Sequence, residues 1–278
     1  MRPHIISHRT AMGLSPPNSM AGLIRSSVNF VDSIECDICF TKDGKPVMWM
    51  EQLGNMALPP IKNISDTTLA EIKKATRKDC PEKIQTIEDV FMFMLKYKNT
   101  RLFFDVKYCN DNHSLEQLGD LKNHYRVVDS NTLDSVAREI IIPAGRLSLA
   151  HRIGFITFWG GAEILKLAKE ADTRITTAVI QILPWFGISP FSSSEGYLNY
   201  IDWIVIGWKN FNQWKLPIWK SSLRKIKELA KSKKIPLHGG IVNTEEEIHW
   251  CLKQNFQGIW TDAPANTDSI LSLVIPRP

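Results

Sequence analysis

Short apolar runs alternate along the chain with longer stretches in which apolar residues return every three or four positions. The runs predict strands at residues 4–7, 33–40, 47–50, 102–106, 146–150, 176–182, 203–206, 235–239 and 258–260. Most are rich in Ile, Val, Leu and aromatics, the composition of strands covered on both faces. The helical stretches carry clearer boundary signals. Pro16 and Pro17 precede a segment with Met20, Leu23, Ile24 and Val28 on one face. Thr68 and Glu71 have capping-box spacing, and so do Thr244 and Glu247. Thr86 caps a segment with Ile87, Val90, Phe91, Met94 and Leu95 at helical spacing, and Ser221 is placed to cap Leu223, Ile226 and Leu229. This alternation predicts an α/β fold, a parallel sheet with helices packed outside it. Residues 183–199, rich in Pro, Gly and Ser, read as a long connection between a strand and a helix, where substrate contacts concentrate.

Length and composition agree with that picture. The chain of 278 residues has the size of one α/β barrel domain, and no linker divides it. Hydrophobic residues make up 44% and charged residues 23%, as in an ordinary globular protein. A net charge of +5 attracts an anionic substrate such as a phosphate ester. No dense Lys/Arg cluster is interleaved with aromatics, so no nucleic acid partner is expected. The basic stretch 225–234 reads as the solvated face of a helix. Five cysteines, an odd number without a paired ligand motif, fit reduced thiols in a cytoplasmic protein. Cys36 and Cys39, three apart in a strand, face opposite sides. The N-terminus shows no signal peptide, and no apolar run approaches the roughly 20 residues of a membrane span.

Three groups of residues carry candidate chemistry. Alternation turns Glu35 and Asp37 to one side of a strand. Two acids on an inward face require a cation between them, and hard oxygen ligands suit Mg²⁺ or Ca²⁺; a solvated face would explain the same spacing. Asp105 and Lys107 share a side at the end of another strand, where an ion pair or a third metal ligand beside a phosphate contact would fit. His8 and Arg9 end the first strand, as an acid/base group and a planar phosphate fork or as structural residues.

The order of these groups, with Asp43-Gly44-Lys45-Pro46-Val47, Leu69-Ala70-Glu71-Ile72 and Ile84-Gln85-Thr86-Ile87-Glu88-Asp89-Val90 lying between Asp37 and Asp105, resembles the glycerophosphodiester phosphodiesterase family. The resemblance returns in Ile241-Val242-Asn243-Thr244 and in Gly258-Ile259-Trp260-Thr261-Asp262-Ala263-Pro264, while residues 108–234 match only by element order. It implies a single-domain (β/α)8 TIM barrel over residues 1–278, of the phospholipase C-like phosphodiesterase kind. It also implies a small-molecule phosphodiester substrate, glycerophosphodiester-like or lysophospholipid-like. By the same resemblance Glu35, Asp37 and Asp105 hold one divalent cation, His8 is one of two acid/base histidines, and Arg9 and Lys107 contact the phosphate. Asn18, Met50, Glu51 and Gly240 then fall in the substrate pocket.

The departures are specific. Thr10 stands where the family has the glycine of His-Arg-Gly, and Pro17 where it has the Glu of Pro-Glu-Asn. Met50 stands where the second histidine belongs, and methionine cannot transfer a proton. Gly240 replaces an expected aromatic and should open the pocket. His151 and His238 are the candidates to supply the missing acid/base group. The same scaffold also admits a sugar phosphodiester synthase resembling the agrocinopine-synthesising enzymes, or a catalytically silent phosphodiester-binding protein.

Overall fold

The computed structural model describes residues 2–28, 31–49, 57–61, 63–107, 128–183, 195–208 and 211–275. Eight parallel strands close into a barrel: β1 His4–Ser7, β2 Ser33–Phe40, β3 Leu102–Lys107, β4 Ile153–Phe158, β5 Thr176–Leu183, β6 Trp203–Trp208, β7 Leu237–Gly240 and β8 Gly258–Thr261. Neighbours in the sequence are neighbours in the sheet, and β1 closes it by pairing with both β2 and β8. Helices pack outside, including α1 Met20–Ser27, α2 Ile87–Lys96, α3 Ala162–Ala171, α4 Pro217–Lys233, α5 Glu245–Lys253 and α6 Pro264–Val274. The fold is the expected (β/α)8 barrel.

The barrel is plugged rather than hollow. Ile6, Phe103, Ile156, Ala178, Val205 and Trp260 fill its interior, as inward layers do in this architecture. Gly154 is needed there because a Cβ would lie 2.6 Å from the Phe103 ring. A larger apolar layer separates strands from helices and takes in Cys36, while Cys39 packs in a second cluster, so the two thiols do face apart. That second cluster belongs to a small lobe built on the end of β2. There Pro46–Met48 runs antiparallel to β2, Ala57–Leu58 pairs with Thr76–Arg77, and Trp49, Ile61, Ile64 and Ile72 form the core.

Several boundaries differ from the sequence reading. Residues 146–150 are not a strand: Arg146 ends a helix, Ala150–Arg152 is a 3-10 turn, and the strand is Ile153–Phe158. Pro46–Met48 is a strand, but of the lobe and not of the barrel. Helix α4 starts at Pro217, with Leu216 rather than Ser221 at its N-cap. In α1 Leu23 is buried, but Ile24 and Val28 are exposed. The capping boxes at Thr68, Thr86 and Thr244 are all formed. Most of the expected 183–199 loop, and Met50, Glu51 and Cys109, lie outside the described residues. Among the described residues no helix is long and apolar enough to cross a membrane.

Candidate active site

The carboxylates meet because the register puts them together. Asp37 pairs with Asp105 across β2 and β3, and Glu35 lies one inward position earlier. One oxygen of each lies within 4.8 Å of the others. Glu35 and Asp37 are fully buried, and Glu35 Oε1 has no hydrogen-bond partner among the described residues. Two cations answer the charge. Lys107 Nζ lies 2.7 Å from Asp37 Oδ1 and also touches Asp105. Arg9 Nε lies 3.2 Å from Asp37 Oδ2.

Burial and the neighbouring Asp37 push Glu35 up to about 7, against the pull of His8. Burial would also raise Asp37, but Lys107, Arg9 and a hydrogen bond from Asn18 outweigh it and hold that carboxyl near about 2. Burial raises Asp105 despite its contact with Lys107. Lys107 would lose its proton more easily on burial, yet Asp105 and Asp37 hold it firmly charged.

The loop after β1 supplies the rest. Arg9, Thr10 and Ala11 all have positive φ, of 47°, 58° and 66°. This winding aims the Arg9 N–H at Glu35 Oε2, 2.7 Å away. Thr10, in the family's glycine position, thus adopts a conformation that favours glycine. A glycine opposite makes room for it: a Cβ on Gly22 of α1 would lie 2.3 Å from the Thr10 carbonyl oxygen. Thr10 Oγ1 in turn accepts the Ser19 N–H at 3.2 Å.

His8 is held from behind. Its Nδ1 lies 2.7 Å from Asp262 Oδ1, and its Nε2 lies 3.8 Å from Glu35 Oε2. With Nδ1–H donating to Asp262, Nε2 is the nitrogen turned to the carboxylates. Asn243 Nδ2 donates to Asp262 Oδ2 at 2.7 Å, and Asn243 Oδ1 accepts the Asp262 N–H at 2.9 Å. Burial works against the charge on Asp262, but the His8 contact keeps its pKa low. Asp262 and Asn243 had no role in the sequence reading. The signal was available: Ser7 pairs with Thr261 when the barrel closes, so the residues that follow them, His8 and Asp262, are brought side by side.

The other expected residues sort differently. Asn18 does not line an open pocket. It is buried and bonded reciprocally to Asp37, its Nδ2 donating to Oδ2 at 2.8 Å and its Oδ1 accepting the Asp37 N–H at 2.9 Å. Gly240 does not open a cavity, because a Cβ there would come 2.9 Å from Trp260 Cβ. His151 sits exposed in the turn before β4, at the end of the barrel opposite the carboxylates. His238 is paired with Gly258, the first residue of β8, at that same opposite end. It accepts the Trp260 indole N–H at 3.2 Å, stacks on Trp203, and is pushed by burial to about 3. Neither histidine joins His8.

A model of the glycerophosphoryl diester phosphodiesterase family matches residues 8–266. The chain belongs to this family. It is 31% identical over 110 residues to human glycerophosphodiester phosphodiesterase 1, an alignment covering 37% of this chain and 33% of that protein. It is 29% identical over 188 residues to the bovine protein of that name, covering 65% of this chain and 49% of the relative. The chain thus spans half or less of the length of these curated relatives. Among solved structures, a glycerophosphodiester phosphodiesterase from Parabacteroides distasonis ATCC 8503 aligns with TM-score 0.68, 18% identity and 99% of both chains. An Oleispira antarctica phosphodiesterase, in complex with the product sn-glycerol-3-phosphate, aligns with TM-score 0.68 and 16% identity over 98% of this chain and 97% of that one. At these identities the structures establish the shared fold.

Proposed function

We propose that this family member hydrolyses a glycerophosphodiester with the help of one divalent cation, Mg²⁺ or Ca²⁺. The observation that carries the reading is the buried cluster of Glu35, Asp37 and Asp105 beside a histidine fixed by Asp262. The cluster suits a hard cation: all donors are oxygens, and Glu35 Oε1 is buried with its hydrogen-bonding capacity unspent among the described residues. Glu35, Asp37 and Asp105 hold the ion, and a bound ion supplies Lewis-acid stabilisation of phosphoryl charge. The substrate class follows from the family and from the glycerol phosphate product bound by the Oleispira relative.

The chain's own groups divide the remaining work. Arg9 and Lys107 stand on either side of Asp37 and bear on the phosphate oxygens. Asn18 keeps Asp37 in place. His8 moves a proton at Nε2 while Asp262 fixes the tautomer and balances the charge of the imidazolium. With His151 and His238 at the other end of the barrel, His8 takes the proton of the attacking group, the departing alkoxide takes one from water, and His8 returns its proton to the oxygen released in the next step. An attacking hydroxyl of the substrate itself gives a cyclic phosphate and suits such alternation.

The test is release of sn-glycerol-3-phosphate from glycerophosphocholine, with and without added Mg²⁺ or Ca²⁺. Turnover should need the cation, stop on chelation and fall to background in Asp37→Ala. The loss of the second histidine also favours a binding protein without turnover. Cation-dependent binding of the substrate with no product formed would decide for that reading and against hydrolysis.

A further inference from the structure

Helix α4 carries six basic side chains and one acidic one, a formal +5 that equals the charge of the whole chain. The other residues together are neutral, so the molecule's positive charge is concentrated on one outer helix. Lys220, Arg224, Lys227 and Lys231 are spaced four, three and four residues apart. That spacing aligns them in a stripe about 16 Å long at 1.5 Å per residue. The stripe borders a groove of about 440 Å³ whose walls include Trp214, Trp219 and Trp250. At the head of the helix, Leu216 and Ile218 stand 47% and 39% exposed.

The placement of this surface follows from the topology. Helix α4 comes after the C-terminal end of β6, so its first turn lies at the end of the barrel that carries His8 and the carboxylates. Met12 and Leu14, 39% and 40% exposed, stand on the loop after β1 at the same end. A solvated basic helix face accounts for the charge. It does not account for the exposed Leu216 at its head or for the partly exposed Trp214 beside it.

We propose that α4 docks the protein on an anionic phospholipid surface, with the basic stripe against the headgroups and Leu216 entering the interface. The barrel wall then lies on the layer, with the first turn of α4 and the catalytic end beside it. Cations facing headgroups, the partly exposed indole of Trp214 beside them and an inserted aliphatic group are the composition of an interfacial helix. A nucleic acid or an acidic protein would engage the stripe but gain nothing from Leu216 at its head. The surface stands apart from the active site and does not depend on the hydrolysis proposed above.

The experiment is co-sedimentation of the full chain with phosphatidylcholine vesicles, with and without phosphatidylserine, over a range of NaCl. Binding should require phosphatidylserine and weaken as salt rises. Each basic residue near such a surface contributes about fivefold to partitioning. The combined variant Lys220→Glu, Arg224→Glu and Lys231→Glu should therefore lose well over tenfold. Leu216→Ser should weaken binding several-fold while leaving its salt dependence intact. Circular dichroism melting checks that both variants fold. Equal binding to phosphatidylcholine alone, or binding that survives the charge reversal, would overturn the proposal. So would a DNA duplex that competes the vesicles off while the Leu216 variant binds them as well as the parent.

Discussion

Glu35 shows how much a single buried carboxyl costs. Its pKa is raised because burial, Asp37 and Asp105 oppose its charge more than His8 and Lys107 ease it. A carboxyl that keeps its proton up to about 7 in the folded chain gives it up near 4.5 when unfolded. The folded state therefore binds the extra proton between those values, and stability should fall as pH rises through that window. Asp105, also raised, adds the same sign, whereas the lowering of Asp37 acts only below its ordinary value of 3.8. Urea unfolding of the ion-free protein at pH 5 and pH 8 measures it; greater stability at pH 8 would contradict the assignment. Asp262 admits a separate test. Asp262→Asn should slow turnover by about 10²- to 10⁴-fold and shift the acid limb of the pH profile, with cation affinity by calorimetry unchanged. At this scale the sequence was readable where a period-two pattern fixes the face, as for Glu35, Asp37, Asp105 and Lys107. It was not readable for Asp262, which lies 254 positions from His8 and is joined to it only by closure of the sheet.

Among the elements, the small lobe acts as a clamp on the loop that leads into α1. Arg77 donates from Nη1 to the Asn18 carbonyl at 2.6 Å and from Nη2 to the Pro17 carbonyl at 2.8 Å. It also pairs with Asp79 and lies over the Trp49 ring. Glu82 accepts the N–H groups of Met20 and Ala21 at the first turn of α1. The lobe thus fixes Asn18, and Asn18 fixes Asp37. Arg77→Met should cost about 3 kcal/mol in urea unfolding, because it strands two carbonyls and the Asp79 charge. Capped helices were the most legible elements, since a Thr followed three residues later by Glu or Asp satisfies its own helix end. The fourth barrel strand was displaced in the sequence reading. Leu147-Ser148-Leu149-Ala150 alternates like a strand, yet Ser148 takes a φ of 58° in the turn after Arg146 and ends the resemblance. The true strand is the apolar run that follows it, and that shift of a few residues carried His151 to the wrong end of the barrel.

Over the whole molecule, the barrel joins a site whose parts come from opposite ends of the chain. Arg2 bonds to Asp268 and to the carbonyl of Ile275, so α6 is tied to the strand that opens the fold. A cation bound by residues on β2 and β3 should brace the whole barrel. At a concentration a hundredfold above its dissociation constant it adds about 2.7 kcal/mol, or roughly 5 °C in melting temperature for a domain of this size. Differential scanning fluorimetry with Mg²⁺ and Ca²⁺ should show the rise in the parent chain and none in Asp37→Ala. Closure has a further consequence in time. On a ribosome moving at roughly 5 to 20 residues per second, His8 is made about 13 to 50 s before Asp262, given the 254 residues between them. Through that interval the nascent chain holds its acidic cluster and its histidine but not the group that aligns them. The site is completed only when the last strand is delivered, so a chain that stops short of it leaves His8 without its partner.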